Sequence, residues 1–409
     1  MGRKRKTPDL VTEVLAGQDH EQGHKEKLRK YSGAKQHSVS VAEYILANEP
    51  TLCKTADQVR ACSTWLVFRH FYLAGQYRLI GGCTCKKHLL CAMCALRRSA
   101  KTVMAYSAKL SQAIENAKQG ERATDGSWKV FPVDLIPVLI TLTIKNGEDL
   151  EERFLHLNDS ISRMIRNRSL AANGNRHLTV FRLLHGGAGA FEFKRGSGSG
   201  LWHPHMHMIA LVSSQVDILH LEWNLSEEWR KLTVDSFNVD VTPIDTSSEE
   251  SRMKAICEVF RYALKFGEMT IEDQVHAFKV LHSRRLVRSF GSLRGVPEPT
   301  DTADTIEDAL QLQPYIDMIY EYSNKKGYFL KELTDVGDSF SGRSPEVKEE
   351  QSKFSSIVRK SNSHLNFPDH LIDRSKRLAV DRKYVNDWLM WRESIGRSPS
   401  VSELSKINF

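Results

Sequence analysis

The segment WHPHMHMIALV (202–212) constrains this chain more than any other, because His203, His205 and His207 alternate with Pro204, Met206 and Met208. Successive side chains of a β-strand leave opposite faces, so this spacing sends three imidazoles to one side and Met206, Met208 and Ala210 into a core on the other. Such a strand calls for a sheet with one apolar face and one face free for chemistry. Two imidazoles at i and i+2 reach a single divalent cation, and imidazole joined by carboxylate suits Mg2+, Mn2+ or Zn2+. Upstream, FRLLHGGAGAFEFKR (181–195) reads as a neighbouring strand joined through GSGSG. A hairpin there brings Glu192 beside the histidines as the oxygen donor, with His185 as the alternative.

The β-branched run Val138–Ile144 predicts a further strand, and 100–117 and EDLEERFLHLNDSISRMIRNRSL predict helices. Residues 254–269, KAICEVFRYALKFGEM, also read as a helix, with Val259, Tyr262, Ala263 and Phe266 along one side. On that helix Glu258, Tyr262 and Lys265 fall at i, i+4 and i+7, one carboxylate, one phenol and one ammonium on a shared face. A phenol with an ordinary pKa of about 10 is a poor nucleophile. A nearby cation and a metal-bound phosphate favour the phenolate, which attacks phosphorus to form a covalent ester. The same spacing also describes a solvated helix face with a half-buried tyrosine.

Four of the seven cysteines, Cys83, Cys85, Cys91 and Cys94, crowd into GGCTCKKHLLCAMC, with His88 as a spare donor. CxxC is a half-site for a tetrahedral structural zinc, and the CxC pair completes it. A disulfide framework does not suit an odd cysteine count without an export signal. Arg97, Arg98 and Lys101 follow at once, as a basic helix offered to phosphates would. Lys and Arg number 58 against 50 acidic residues, a net charge of +8, which suits a phosphate-rich partner. No apolar run is long enough to cross a bilayer and no leader is apparent, so the expected compartment is the cytoplasm.

Over residues 60–295 these motifs occur in one order: CKKHLLCAMCALRRSAK, LITLTIKN, HPHMHMIALV, EVFRYALKF and RRLVRSFGSLRG. In that order they resemble the replication initiators of small rolling-circle plasmids, in the Gram-positive branch of the HUH endonuclease superfamily. The resemblance implies that His205, His207 and Glu192 hold a catalytic Mg2+ or Mn2+ and that Tyr262 is the nucleophile. It further implies that Lys265 is a cation near phosphate or metal, and that Glu258 is the acid that activates water for a terminating cleavage. Implied partners are single-stranded or hairpin origin DNA, a host helicase and a host polymerase, in a bacterial cytoplasm. The chain departs from the family pattern at Phe266, Gly267 and Glu268 and in its CxC half-site.

The expected architecture is α+β, a central antiparallel sheet with flanking helices in the HUH manner. Along the chain the reading gives a polar arm (1–59), a zinc-knuckle and basic-helix segment (60–118) and a nicking-joining domain (130–295). Loops and linker (296–350) and a basic, helical C-terminal region (351–409) follow. A conjugative relaxase or single-strand transposase would share the histidine and tyrosine chemistry. A zinc-stabilised DNA-binding regulator would share only the cysteines and the charge.

Overall fold

The computed structural model describes residues 21–172, 179–196, 199–246, 248–260, 269–299, 303–304, 306 and 315–335. Helices α1 (Glu21–Asn48) and α2 (Cys53–Ala61) come first, then strands β1 (Trp65–Phe71) and β2 (Gln76–Gly82) and helix α3 (Ala92–Gln119). A small hairpin, β3 (Glu121–Arg122) and β4 (Trp128–Val130), precedes β5 (Leu135–Thr143) and α4 (Leu150–Ala172). Next come β6 (Gly186–Arg195), β7 (Trp202–Ser213), α5 (Ile218–Thr233), β8 (Val239–Pro243) and α6 (Glu249–Val259). The described chain closes with α7 (Ile271–Leu281), β9 (Val287–Gly291), β10 (Ile316–Ser323) and β11 (Gly327–Asp335). The architecture is α+β with antiparallel sheets and flanking helices, as expected. Tyr262, Lys265 and the C-terminal region 351–409 lie outside the described residues.

The chain forms two compact units. One is built on a five-stranded sheet of order β8-β5-β7-β6-β9, in which the histidine strand β7 is central. Its register opposes Glu192 to His205, and Ala190 and Thr141 to His207, so all five side chains share one face. The other face carries Met206, Met208, Phe191 and Phe193, all buried. Helix α4 covers that apolar face: Phe154 sits 5.7 Å from Phe191 and 6.0 Å from Phe193, centroid to centroid. On the histidine side, Tyr106 of α3 stacks at 4.5 Å on Phe260, which follows α6. Gly189 lets β6 lie close against β7, since a Cβ there would meet the His207 carbonyl oxygen at 2.5 Å.

The second unit contains the sheet β11-β10-β1-β2. Its interior stacks the His24 ring on Tyr77 at 4.1 Å and holds His24 Nε2 2.9 Å from the Tyr320 hydroxyl. Two readings of the sequence change here. Residues 21–48, within the expected polar arm, form one 28-residue helix, because Tyr31, Ala34, Ser38, Ala42 and Ile45 recur at helical intervals and are all buried. Part of the segment taken as loops and linker, 316–335, is the β10–β11 hairpin. Its strands are fixed by pairing Trp65 with Glu321 and Arg69 with Asp317, partners too distant in sequence for a local pattern to reveal.

Candidate active site

Neighbouring strands of the five-stranded sheet bring Glu192, His205 and His207 together. Glu192 Oε1 is 3.3 Å from His205 Nε2 and Oε2 is 3.6 Å from His207 Nε2. One ligand atom of each lies within 4.8 Å of the others. Glu192 and His205 are buried at 3% and 4% exposure, where a carboxylate is costly without compensating charge. The far side of each ring is also held: His205 Nδ1 lies 3.4 Å from the His203 carbonyl and His207 Nδ1 lies 3.1 Å from the Thr141 hydroxyl. A carbonyl only accepts, so this contact calls for a proton on His205 Nδ1, which in a neutral ring leaves the Nε2 lone pair facing Glu192. Lone pair and carboxylate oxygen repel across that gap unless a cation or a proton lies between them. Both oxygens of one carboxylate facing two Nε2 atoms is a donor set that fits a shared divalent cation, with the Nδ1 partners fixing each ring.

The other histidines named above stand apart from this group. His203 Nδ1 turns to Asn146 Oδ1 at 2.6 Å. His185 precedes β6, a strand's length from Glu192, and burial beside Arg168 holds its pKa below the ordinary imidazole value.

Helix α6 starts at Ser248, whose hydroxyl accepts from Ser251 N, and it buries Met253, Ile256, Cys257 and Val259. Glu258 is half-buried in its last turn. On the histidine face a cavity of about 470 Å3 is lined by Ala190, Val287, Phe260, Arg98, Arg284 and Arg285, among others. Arg98 is bonded to Glu298 at 2.6 Å and Arg284 to Glu151 at 2.6 Å. Of the three basic residues read after the cysteines, Arg98 reaches this cavity, Lys101 is half-buried, and Arg97 is buried at 4% exposure.

Of the four cysteines expected to form one group, Cys85, Cys91 and Cys94 lie with their sulfurs within 4.8 Å of one another. The thiol of Cys83 instead contacts the Ala61 carbonyl at 3.1 Å and the Thr64 hydroxyl at 3.3 Å. Ser63, in a left-handed conformation at φ 55, donates its N–H to the Cys83 carbonyl at 2.7 Å and so fixes this turn. Zinc–sulfur bonds of about 2.3 Å put tetrahedral sulfurs about 3.8 Å apart. Cys85 and Cys94 are separated by 3.7 Å, which fits such an ion. Ser38 braces the knuckle, accepting from Ala92 N at 3.0 Å, and Gln274 donates to the Leu89 carbonyl at 3.1 Å. His88 is not in the group; burial, then Arg98, lowers its pKa to about 4.

A family model described as "Replication protein", Rep_1, matches residues 76–329 of the chain. A protein named "Protein rep" from Streptococcus pneumoniae serotype 2 is 27% identical over 258 residues, 61% of this chain and 71% of that one. No solved structure matches.

Proposed function

The chain belongs to the Replication protein family, Rep_1, and from that membership we propose that it initiates rolling-circle replication of a plasmid by nicking one strand of the origin. The observation that carries the nicking chemistry is the convergence of Glu192, His205 and His207 on one point of the sheet. A Mg2+ or Mn2+ ion held by these three residues would supply Lewis-acid polarisation of the scissile phosphate.

The protein's own groups do the rest. The Tyr262 hydroxyl oxygen attacks phosphorus, the P–O3′ bond breaks, and the products are a 5′-phosphotyrosyl link and a 3′-OH that a host polymerase extends. Lys265 offsets charge on the phosphate or phenolate. In the terminating cleavage Glu258 accepts a proton from water as the water oxygen bonds to phosphorus and a second P–O3′ bond breaks. The freed 3′-OH then displaces Tyr262, and the circle closes. Because phosphorus must be reached in an unpaired strand, the substrate is single-stranded or hairpin origin DNA, presented with the help of a host helicase. Arg98 stands closest to the role of phosphate contact expected of Arg97, Arg98 and Lys101. The cysteine group around Cys85, Cys91 and Cys94 would hold a structural Zn2+. Among the described residues no helix is long and apolar enough to cross a membrane.

The test is incubation with single-stranded origin oligonucleotides and Mn2+, followed by mass spectrometry of the Tyr262 peptide. A nucleotide on that peptide, lost in Tyr262→Phe while binding persists, is the expected result. Tight origin binding with no cleavage would leave a regulator instead.

A further inference from the structure

Arg285, Arg288 and Arg294 belong to the segment RRLVRSFGSLRG (284–295), which contributes neither to the metal group nor to the cysteine group. They line a cavity of about 500 Å3 that also takes in Ser162 and Ser169 of α4 and Gly291 of the edge strand β9. The register shows which side of the sheet this is. Arg288 pairs with Gly189, and Gly189 with Met208, so Arg288 leaves the face opposite Glu192 and His207. Its Nη2 donates to Asn158 Oδ1 on α4, the helix that covers that face. Arg285, by contrast, lines both this cavity and the one on the histidine face. A single side chain therefore links the two cavities around the β9 edge.

Among the described residues the charge here is uncompensated. Arg284 and Arg98 have carboxylate partners, but among the described residues none of Arg285, Arg288 and Arg294 has one within ion-pair distance. Arg288 Nε is buried without a hydrogen-bond partner among the described residues. Burial, then the proximity of Arg285, lowers the Arg288 pKa. Gathering cations this way is unfavourable unless an anion joins them. The volume falls in the range of about 300–1,000 Å3 typical of ligand sites, and Gly295, at φ +92 with open space about it, leaves the rim accessible.

We infer that this cleft is a second phosphate subsite, holding the backbone of the DNA strand after it has rounded the β9 edge from the histidine face. The assignment of DNA rests on the proposed nicking function; the affinity of the cleft for polyphosphate does not. Two variants test it: Arg294→Gln, at an exposed position, and the double variant Arg288→Gln/Arg294→Gln. Each is titrated with inorganic tripolyphosphate, with a minimal oligonucleotide spanning the nick, and with one extended by about ten nucleotides on each side in turn.

The expected result is a tenfold or greater loss of tripolyphosphate affinity and a similar loss for one extended oligonucleotide. The salt dependence for that oligonucleotide should become shallower by about 0.7 in log–log slope per arginine removed, with binding and nicking of the minimal substrate unchanged. Unaltered tripolyphosphate affinity in both variants overturns the subsite. Tripolyphosphate loss without any length-dependent DNA loss overturns the assignment to the strand, leaving a site for free polyphosphate. If the wild type shows the expected binding pattern but never nicks, the nicking reading fails and the cleft stands.

Discussion

His207 divides its labour between its two nitrogens, Nε2 toward Glu192 and Nδ1 toward Thr141. Outer partners of this kind typically contribute about 10–100-fold to metal affinity. Thr141→Val keeps the shape and removes the hydroxyl, so calorimetric Mn2+ affinity should fall by that factor; an unchanged affinity would show that the ring needs no such anchor. The histidines were legible because strand alternation is a local rule, and Glu192 because GSGSG between two strand patterns signals an antiparallel pair, which β6 and β7 form. Thr141 was not, because its partnership depends on which strand flanks β7 on the other side. Elemental analysis should find about one zinc per chain, lost in Cys85→Ser and Cys94→Ser and retained in Cys83→Ser. His24 gives a different kind of prediction. Its pKa is lowered from 6.5 to about 3, chiefly by burial. Between those values the unfolded chain binds more protons than the folded one, so stability rises with pH across the window, complete above 6.5 and lost as pH falls toward 3. Melting temperature should drop over that range, and His24→Phe, which keeps a ring on Tyr77, should flatten the dependence.

Strands β5, β6 and β7 fall close to where alternation and β-branching put them, and α4 runs through the stretch expected to be helical. Helix α1 was underread because its buried positions include Ser38 and Lys35, polar residues that disguise the stripe. The glycines of β6 carry a specific load. At Gly189 a methyl group would press on the His207 carbonyl, on Met206 Cε at 2.7 Å and on Met208 Cα at 3.0 Å, and two of these three are backbone atoms that cannot swing away. Gly189→Ala should therefore cost about 1–3 kcal/mol, the usual range for overpacking. It should also weaken Mn2+ binding by shifting β6 against β7. Urea unfolding measures the first effect and calorimetry the second, and a fully stable variant would mean that the strands separate more easily than their contacts imply.

For the molecule as a whole, the α+β class was readable from one alternating strand, whereas the sheet containing β1 and β10 was not, since its central pairing joins residues about 250 positions apart. Among the described residues the candidate ion sites differ in donor chemistry, thiolates against two imidazoles and a carboxylate. Brief EDTA treatment should remove the ion from the Glu192 site, abolishing cleavage reversibly with Mn2+ and little change in melting. Loss of the thiolate-bound ion should need a thiol-modifying reagent and should lower the melting temperature. Simultaneous release of both would argue against separate structural and catalytic roles. Finally, β7 is laddered on both sides while β9 lies at the margin. Amide exchange should be slowest along 205–211 and faster at 287–291. On gentle warming, the molecule should then loosen its outer grip on nucleic acid while the seat for the cation is still intact.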